Sequence, residues 1–111
     1  MELTLKQKVL NCVKDVPVGK VIYFGWIAGV VESDARTVGW ILSGMTEVEM
    51  LEVPWYRVVA KDGYISSLKL GPKGLLQKQL LESEGYDLIE DHVDIQKHLW
   101  TGERESTEML F

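Results

Sequence analysis

Three side chains with something to offer a ligand stand in one run: Trp55, Tyr56 and Arg57, between Pro54 and the pair Val58-Val59. Trp55 brings a large aromatic face and one N–H donor, Tyr56 a phenol, and Arg57 a permanent positive charge. None is a nucleophile at neutral pH. The indole lone pair belongs to the ring, and a phenol with an ordinary pKa of about 10 is a poor base there. Pro54 fixes its own φ and keeps Val53 out of the helical region, so Trp55 is expected where a loop enters a strand beginning at Val58. A tryptophan at such a place either plugs the core or lines a pocket, and composition alone leans toward the plug.

The other reactive types are isolated. Cys12, the single cysteine, falls on the apolar side of a helix with no neighbouring histidine or cation, the setting of an inert thiol. One cysteine also excludes an internal disulfide and any multi-cysteine zinc site. His92 and His98 have no partners at ligand spacing and are expected to be solvated or capping side chains. No metal or cofactor is expected.

A chain of 111 residues supports one domain with a modest core. Residues 1–100 are assigned to it, and 101–111 to a flexible tail whose Met109-Leu110-Phe111 end is apolar enough to dock. Without a long apolar run or a signal-peptide pattern, an intracellular protein with no membrane partner is expected. The formal net charge of −5 argues against strong non-specific DNA binding, which draws its affinity from neutralised phosphates. The charges are segregated, however. Lys6, Lys8, Lys14 and Lys20 mark one basic region and Arg57, Lys61, Lys69, Lys73 and Lys78 another, while acids gather at Glu47, Glu49 and Glu52 and again from Glu82 to Asp94. That pattern permits one basic face on an acidic protein.

The elements that must position these groups follow from periodicity. Thr4 with Gln7 reads as a capping box, and Leu5, Val9, Cys12 or Val13, and Val16 continue a helix over about 4–15. Phe24, Ile27, Ala28 and Val31 predict a second helix over 23–31. Ser33 is the expected cap of a third, 34–44, with Val38, Ile41 and Leu42 buried. Arg36, Thr37 and Trp40 then lie off its buried stripe, as in the exposed second helix of a helix-turn-helix. Met45 to Glu52 reads as a loop. Arg57–Ala60 and Tyr64–Ser66 flank Lys61-Asp62-Gly63 as a hairpin, a candidate wing. Ser67 to Gly71 is a linker, and Pro72 opens a fourth helix that buries Leu75, Leu76 and Leu80 and ends at Glu84-Gly85. Tyr86 to Ile89 is a short strand, and Leu99-Trp100 folds back onto the domain.

Four motifs in order carry a resemblance: Gly19-Lys20-Val21; Phe24-Gly25 with Ile27-Ala28; Ala35-Arg36-Thr37-Val38-Gly39; and Pro54-Trp55-Tyr56-Arg57-Val58-Val59. Together they are similar to the DNA-binding domain of O6-alkylguanine-DNA alkyltransferases. They look more closely like the alkyltransferase-like proteins, in which the acceptor cysteine of Pro-Cys-His-Arg-Val is replaced, commonly by tryptophan. The likeness runs from about residue 4 to 100 and includes Glu84-Gly85 and Leu99-Trp100.

The resemblance implies a mainly α fold with a small β-hairpin wing, a winged helix-turn-helix whose recognition helix enters the minor groove. Arg36 falls at the position of the arginine inserted into the base stack in place of a nucleotide rotated outward. Ala35 and Gly39 let the helix approach closely, and Thr37 is compact enough to meet a sugar or phosphate. The implied DNA-contact set is Tyr23, Phe24, Ala35, Arg36, Thr37, Gly39 and Arg57. The implied lesion pocket is Pro54, Trp55, Tyr56, Leu68 and Lys69. Trp55 stands at the acceptor position and Tyr56 at that of the enzymes' histidine, so no alkyl transfer is expected. Glu84, at the position of the distal carboxylate, is expected to hydrogen-bond at a helix end. Phe24 departs from the family's usual tyrosine, and Leu68, with Lys69 adjacent, from a pocket arginine found in some members. Trp26 and Trp40 are expected in core or interface packing.

The function implied is non-enzymatic binding of O6-alkylguanine in duplex DNA with base flipping, flagging the lesion for nucleotide excision repair. The expected partners are lesion-containing double-stranded DNA and nucleotide excision repair proteins, with a monomer as the working state. The alternatives are a winged-helix regulator or architectural DNA binder without lesion specificity, and a protein-interaction module suited to the acidic charge.

Overall fold

The computed structural model of the chain describes residues 2–102, so the tail expected to be flexible lies, from residue 103 on, outside the described residues. Thr4 caps α1 (Leu5–Lys14) by the expected box: its hydroxyl accepts from the Gln7 N–H, and the Gln7 side chain accepts from the Thr4 N–H. Val9, Leu10 and Val13 form the buried stripe, and Val16 extends it past the helix end. Cys12 is partly buried beside them. Burial, reinforced by Asp15, pushes its thiol up and holds it in the unreactive protonated form.

α2 (Phe24–Val31) and α3 (Ala35–Ser43) pack on α1 and on each other, burying Ile27, Ala28, Val38 and Leu42. The turn between them passes through Glu32 in the left-handed region, φ 58°. Asp34, not the expected Ser33, caps α3: its carboxylate accepts from the Thr37 N–H at 2.8 Å and from the Thr37 hydroxyl at 3.1 Å. A carboxylate makes the stronger, charge-assisted cap and faces the positive end of the helix dipole.

The expected loop before Pro54 contains α4 (Glu47–Glu52), opened by a second capping box between Thr46 and Glu49. No residue of α4 is fully buried and only Met50 packs partly on the core, so it leaves no apolar stripe to read. The hairpin expected across Lys61-Asp62-Gly63 is also corrected. Val58–Val59 forms β2 but pairs in parallel with β1 (Ile22–Tyr23), Ile22 opposite Val58 and Tyr23 opposite Val59, while Ser66–Leu70 curls into a 3₁₀ turn. The turn itself forms, with Gly63 at φ 93° and its N–H on the Ala60 carbonyl at 2.8 Å. It is seated on another element. The Val93 N–H donates to the Gly63 carbonyl at 2.9 Å, and a Cβ at Gly63 would lie 2.3 Å from the Val93 oxygen. The hairpin of this fold is β3 (Leu88–Ile89) with antiparallel β4 (His92–Val93).

α5 (Pro72–Ser83) starts on Pro72 as expected, but its buried face is turned. Gly74, Gln77 and Leu81 point inward, while Leu75 and Leu76 are 60% and 43% exposed. The reason is Gly74. A Cβ there would lie 2.3 Å from the Leu68 Cα, so the helix lies against the Ser66–Leu70 turn along the face that lacks a side chain.

α6 (Ile95–His98) leads into the closing segment. Leu99-Trp100 folds back as expected: the Trp100 N–H donates to the Val21 carbonyl at 2.9 Å, and the Trp100 ring lies 5.6 Å from that of Trp26. His98 is not solvated. It is 6% exposed, with Nδ1 at 2.8 Å from the Gly19 carbonyl and Nε2 accepting from the Asp87 N–H at 3.1 Å. The ring with its proton on Nδ1 satisfies both partners and staples the turn before β1 to the segment before β3. Tyr86 reinforces this, donating its hydroxyl to the Lys20 carbonyl and accepting the Gly19 N–H. The architecture is mainly helical with two small sheets, the expected class. No described helix is long and apolar enough to cross a membrane.

Candidate nucleic-acid interface and lesion pocket

Phe24 and Leu42 from α2 and α3, Trp55 of the 3₁₀ turn Trp55–Arg57, the Ser66–Leu70 turn and the start of α5 line an open cavity of about 270 Å³. Trp55 is 6% exposed and packed into the main core, yet it also lines this cavity, so plug and pocket describe the same side chain. Phe24, Leu42 and Val58 add apolar surface; Ser66, Ser67, Lys69, Lys73 and Gln77 add polar groups. The Lys73 ammonium stands 5.2 Å from the Trp55 ring centroid, within cation–π range, and burial pulls its pKa down.

Gln77 fixes the geometry. It is 3% exposed, donates its amide to the carbonyls of Tyr56 and Val58, each at 3.0 Å, and accepts the Ser67 hydroxyl. One side chain thus ties the Trp55 turn, β2 and the Ser66–Leu70 turn to α5. A second brace lies behind Trp55. Arg57 donates Nη2 to Glu84 Oε2 at 2.9 Å, Nε to Oε1 at 3.2 Å and Nη1 to the Val16 carbonyl at 2.9 Å. The Tyr56 hydroxyl donates to Glu84 Oε2 at 2.7 Å. Burial alone would raise the Glu84 pKa, but these hydrogen bonds outweigh it and hold the carboxyl below its ordinary value. Tyr56 moves the other way, raised by burial and by its bond to Glu84, and so remains a donor.

These contacts correct the expected assignments. Arg57, placed among the DNA contacts, is 8% exposed and fully engaged inside the protein. Tyr56 does not line the cavity; its ring meets Trp55 edge-on at 5.9 Å and its hydroxyl points to Glu84. Pro54 opens the turn and does not line the cavity either. Leu68 packs into the second core cluster with Val21, Val59, Ile65 and Leu81. Trp55 and Lys69 are the two expected pocket residues that line it. Phe24, expected on DNA, lines it as well. Lys73 and Gln77 escaped the sequence reading because their helix was read a fraction of a turn out of register.

The outer face of α3 carries the second surface. Arg36, Thr37, Gly39, Trp40 and Ser43 line a groove, and Gly39 and Ser43 also line the Trp55 cavity, so the two are contiguous. Arg36 and Ala35 are exposed, and no hydrogen bond or ion pair holds the Arg36 guanidinium among the described residues. Thr37 spends its hydroxyl proton on Asp34. Trp40, expected in core or interface packing, is 78% exposed on this face and so lies outside the core, whereas Trp26 packs on Trp100. A Cβ at Gly39 would meet Phe24 at an ordinary 3.8 Å, so nothing inside the chain demands a glycine there. Tyr23 is half-buried as the residue preceding α2 and makes no side-chain cap bond. Among the described residues, no three His, Cys, Asp or Glu side chains gather as a metal site.

Comparison with known proteins identifies the family of this chain. A family described as the 6-O-methylguanine DNA methyltransferase, DNA binding domain, matches residues 4–86. A DNA base-flipping protein of Escherichia coli is 34% identical over 102 residues, covering 89% of this chain and 76% of its own. Alkyltransferase-like protein 1 of Schizosaccharomyces pombe is 32% identical over 100 residues, 84% of this chain and 91% of its own. That yeast protein, solved in complex with damaged DNA containing O6-carboxymethylguanine, superposes with a TM-score of 0.79 at 29% identity, covering 90% of this chain and 98% of the other. The chain therefore belongs to the 6-O-methylguanine DNA methyltransferase DNA-binding family, among its alkyltransferase-like members.

Proposed function

We propose that this chain binds O6-alkylguanine in duplex DNA from the minor groove, rotates the damaged nucleotide into the Trp55 cavity, transfers nothing, and so flags the site for nucleotide excision repair. The observation that carries the reading is the contiguity of two surfaces: a free, exposed Arg36 on α3 and a cavity lined by the aromatics Trp55 and Phe24, joined through Gly39 and Ser43. Arg36 would occupy the gap left in the base stack, a device that trades unstacking for contact. Extruding a base costs a few kcal/mol, less where a lesion already weakens the pair. Stacking on an aromatic returns about 1–3 kcal/mol. The names of the relatives support the same direction: one is a base-flipping protein and another was solved on damaged DNA.

The cavity lining includes no thiol, and Cys12 is not part of it. Trp55 and the protonated Tyr56 offer neither nucleophile nor base. Titrating two duplexes that differ only by O6-methylguanine tests the reading by fluorescence anisotropy. The lesion duplex is expected to bind more tightly, and equal affinity removes lesion recognition. Addition of excision-repair proteins to the preformed complex tests the flagging step; incision no faster than on the bare lesion removes it.

Two observations favour a second reading, an architectural DNA binder that kept the scaffold alone. Phe24 has no hydroxyl to offer a phosphate, and Leu68 is turned into the core. A preference for one undamaged sequence, with no response to alkylation, would select it.

A further inference from the structure

The charges around the Trp55 cavity are of one sign. Lys69 and Lys73, on either side of the Gly71-Pro72 junction, both line it, and no aspartate or glutamate does among the described residues. The lysine and arginine ion pairs of the described residues are Lys6–Glu49, Arg57–Glu84, Lys78–Asp91 and Lys97–Asp87, which leaves both pocket lysines without a carboxylate. Glu84 is committed to Arg57 and Tyr56. What the two ammonium groups do have is aromatic: Lys73 lies 5.2 Å from the Trp55 centroid and Lys69 5.7 Å from that of Tyr64. The Ser66 hydroxyl adds a further donor with no partner among the described residues. Burial already penalises the charge on Lys73. A partly desolvated ammonium held by a ring alone gains most from an anion brought in beside it.

The geometry points to a pocket selective for O6-alkylguanine adducts that carry a negative charge, Lys73 and Lys69 receiving a carboxylate on the alkyl group while Trp55 takes the base. This rests on the lesion-binding reading and adds to it a preference among adducts, set by charge, with the two lysines that impose it. The other anion within reach is the DNA phosphate. Lysines bound to phosphate would strengthen every duplex alike, whereas lysines bound to the adduct strengthen one.

Four duplexes separate these outcomes: undamaged, O6-methylguanine, O6-carboxymethylguanine, and the neutral carbamoylmethyl isostere of the last. At fixed salt the protein is expected to prefer carboxymethyl to carbamoylmethyl by about tenfold. Lys73→Met is expected to bring that ratio close to one, whatever it does to the affinity common to all adducts, and Lys73→Arg to retain the ratio. Lys69→Met, at an exposed position, gives a second variant with a smaller loss in the same sense. A ratio near one in the unaltered protein overturns the inference, as does an equal loss on all four duplexes in both methionine variants, the mark of a phosphate contact. If none of the three alkylated duplexes is distinguished from the undamaged one, the lesion-binding reading falls and this inference with it. If O6-methylguanine is recognised but charge is not, the inference alone falls.

Discussion

Arg57 grips Glu84 through two nitrogens, Nη2 at 2.9 Å and Nε at 3.2 Å, and spends its third on the Val16 carbonyl. The guanidinium thereby joins the Trp55 turn to the end of α5 and to the segment following α1. Removing one partner of a buried pair leaves the other charge uncompensated. Arg57→Ala is expected to destabilise the fold by roughly 3 kcal/mol, toward the low end for such pairs because Glu84 keeps some contact with water. Urea unfolding measures it; a loss within about 0.5 kcal/mol, the range of ordinary surface changes, would mean the pair carries no structural weight.

Glu84 also makes stability depend on pH in a definite direction. Burial favours its neutral form, yet the bonds from Arg57 and Tyr56 hold its folded pKa below the ordinary 4.5. The unfolded chain then binds the proton more readily. The stabilisation is complete above the unfolded value and is lost as pH falls through the folded one. Glu84→Gln should therefore lower the urea midpoint at neutral pH, and the gap to the parent should narrow toward about pH 4 and below. A gap that stays constant across that window contradicts the assignment.

Gly74 sets the distance between α5 and the Ser66–Leu70 turn. Its missing Cβ would sit 2.3 Å from the Leu68 Cα and 2.4 Å from the Leu68 nitrogen, both backbone atoms that cannot step aside. Gly74→Ala, ordinarily favourable in a helix, should here destabilise by about 1–3 kcal/mol and shift Lys73 relative to Trp55. Thermal melting tests the first expectation. An alanine variant as stable as the parent would show that α5 can pivot freely.

How much of this was readable in the chain follows from how local each signal is. Thr4 with Gln7, the α3 stripe and Pro72 announced their helices because caps, periodicity and proline act within a few residues. α4 escaped because it has no fully buried residue and only Met50 packs against the core, although Thr46 and Glu49 carried the same box as α1. The partner of β2 could not be inferred from its surroundings: Val58 pairs with Ile22, far back in the chain and in parallel. The four-motif order singled out Arg36 and Trp55, which stand in the structure as an exposed and a cavity-lining residue. It gave no account of Lys73, whose place depends on a helix rotation set by Gly74. Arg57 was misassigned because an arginine beside a pocket looks the same in sequence whether it faces DNA or a buried carboxylate.

Trp40 offers a separate check on which way α3 faces. Its ring is 78% exposed in the groove it shares with Arg36, so Trp40→Ala should leave folding stability within about 0.5 kcal/mol. If that face enters the minor groove, the same substitution should weaken DNA binding by at least ~1 kcal/mol, as expected for a lost aromatic contact. Unchanged affinity would set Trp40 outside the interface.

The most direct test of lesion recognition through α3 is the affinity of Arg36→Ala for matched duplexes with and without O6-methylguanine. Arg36 is exposed and bonded to nothing among the described residues, so the variant should fold as the parent does. Affinity for the lesion duplex is expected to fall about tenfold or more, roughly 1.4 kcal/mol, and the preference over undamaged DNA to shrink with it. Lesion binding that survives at full strength would contradict the account, because the side chain meant to hold the vacated space would then have no part in holding it.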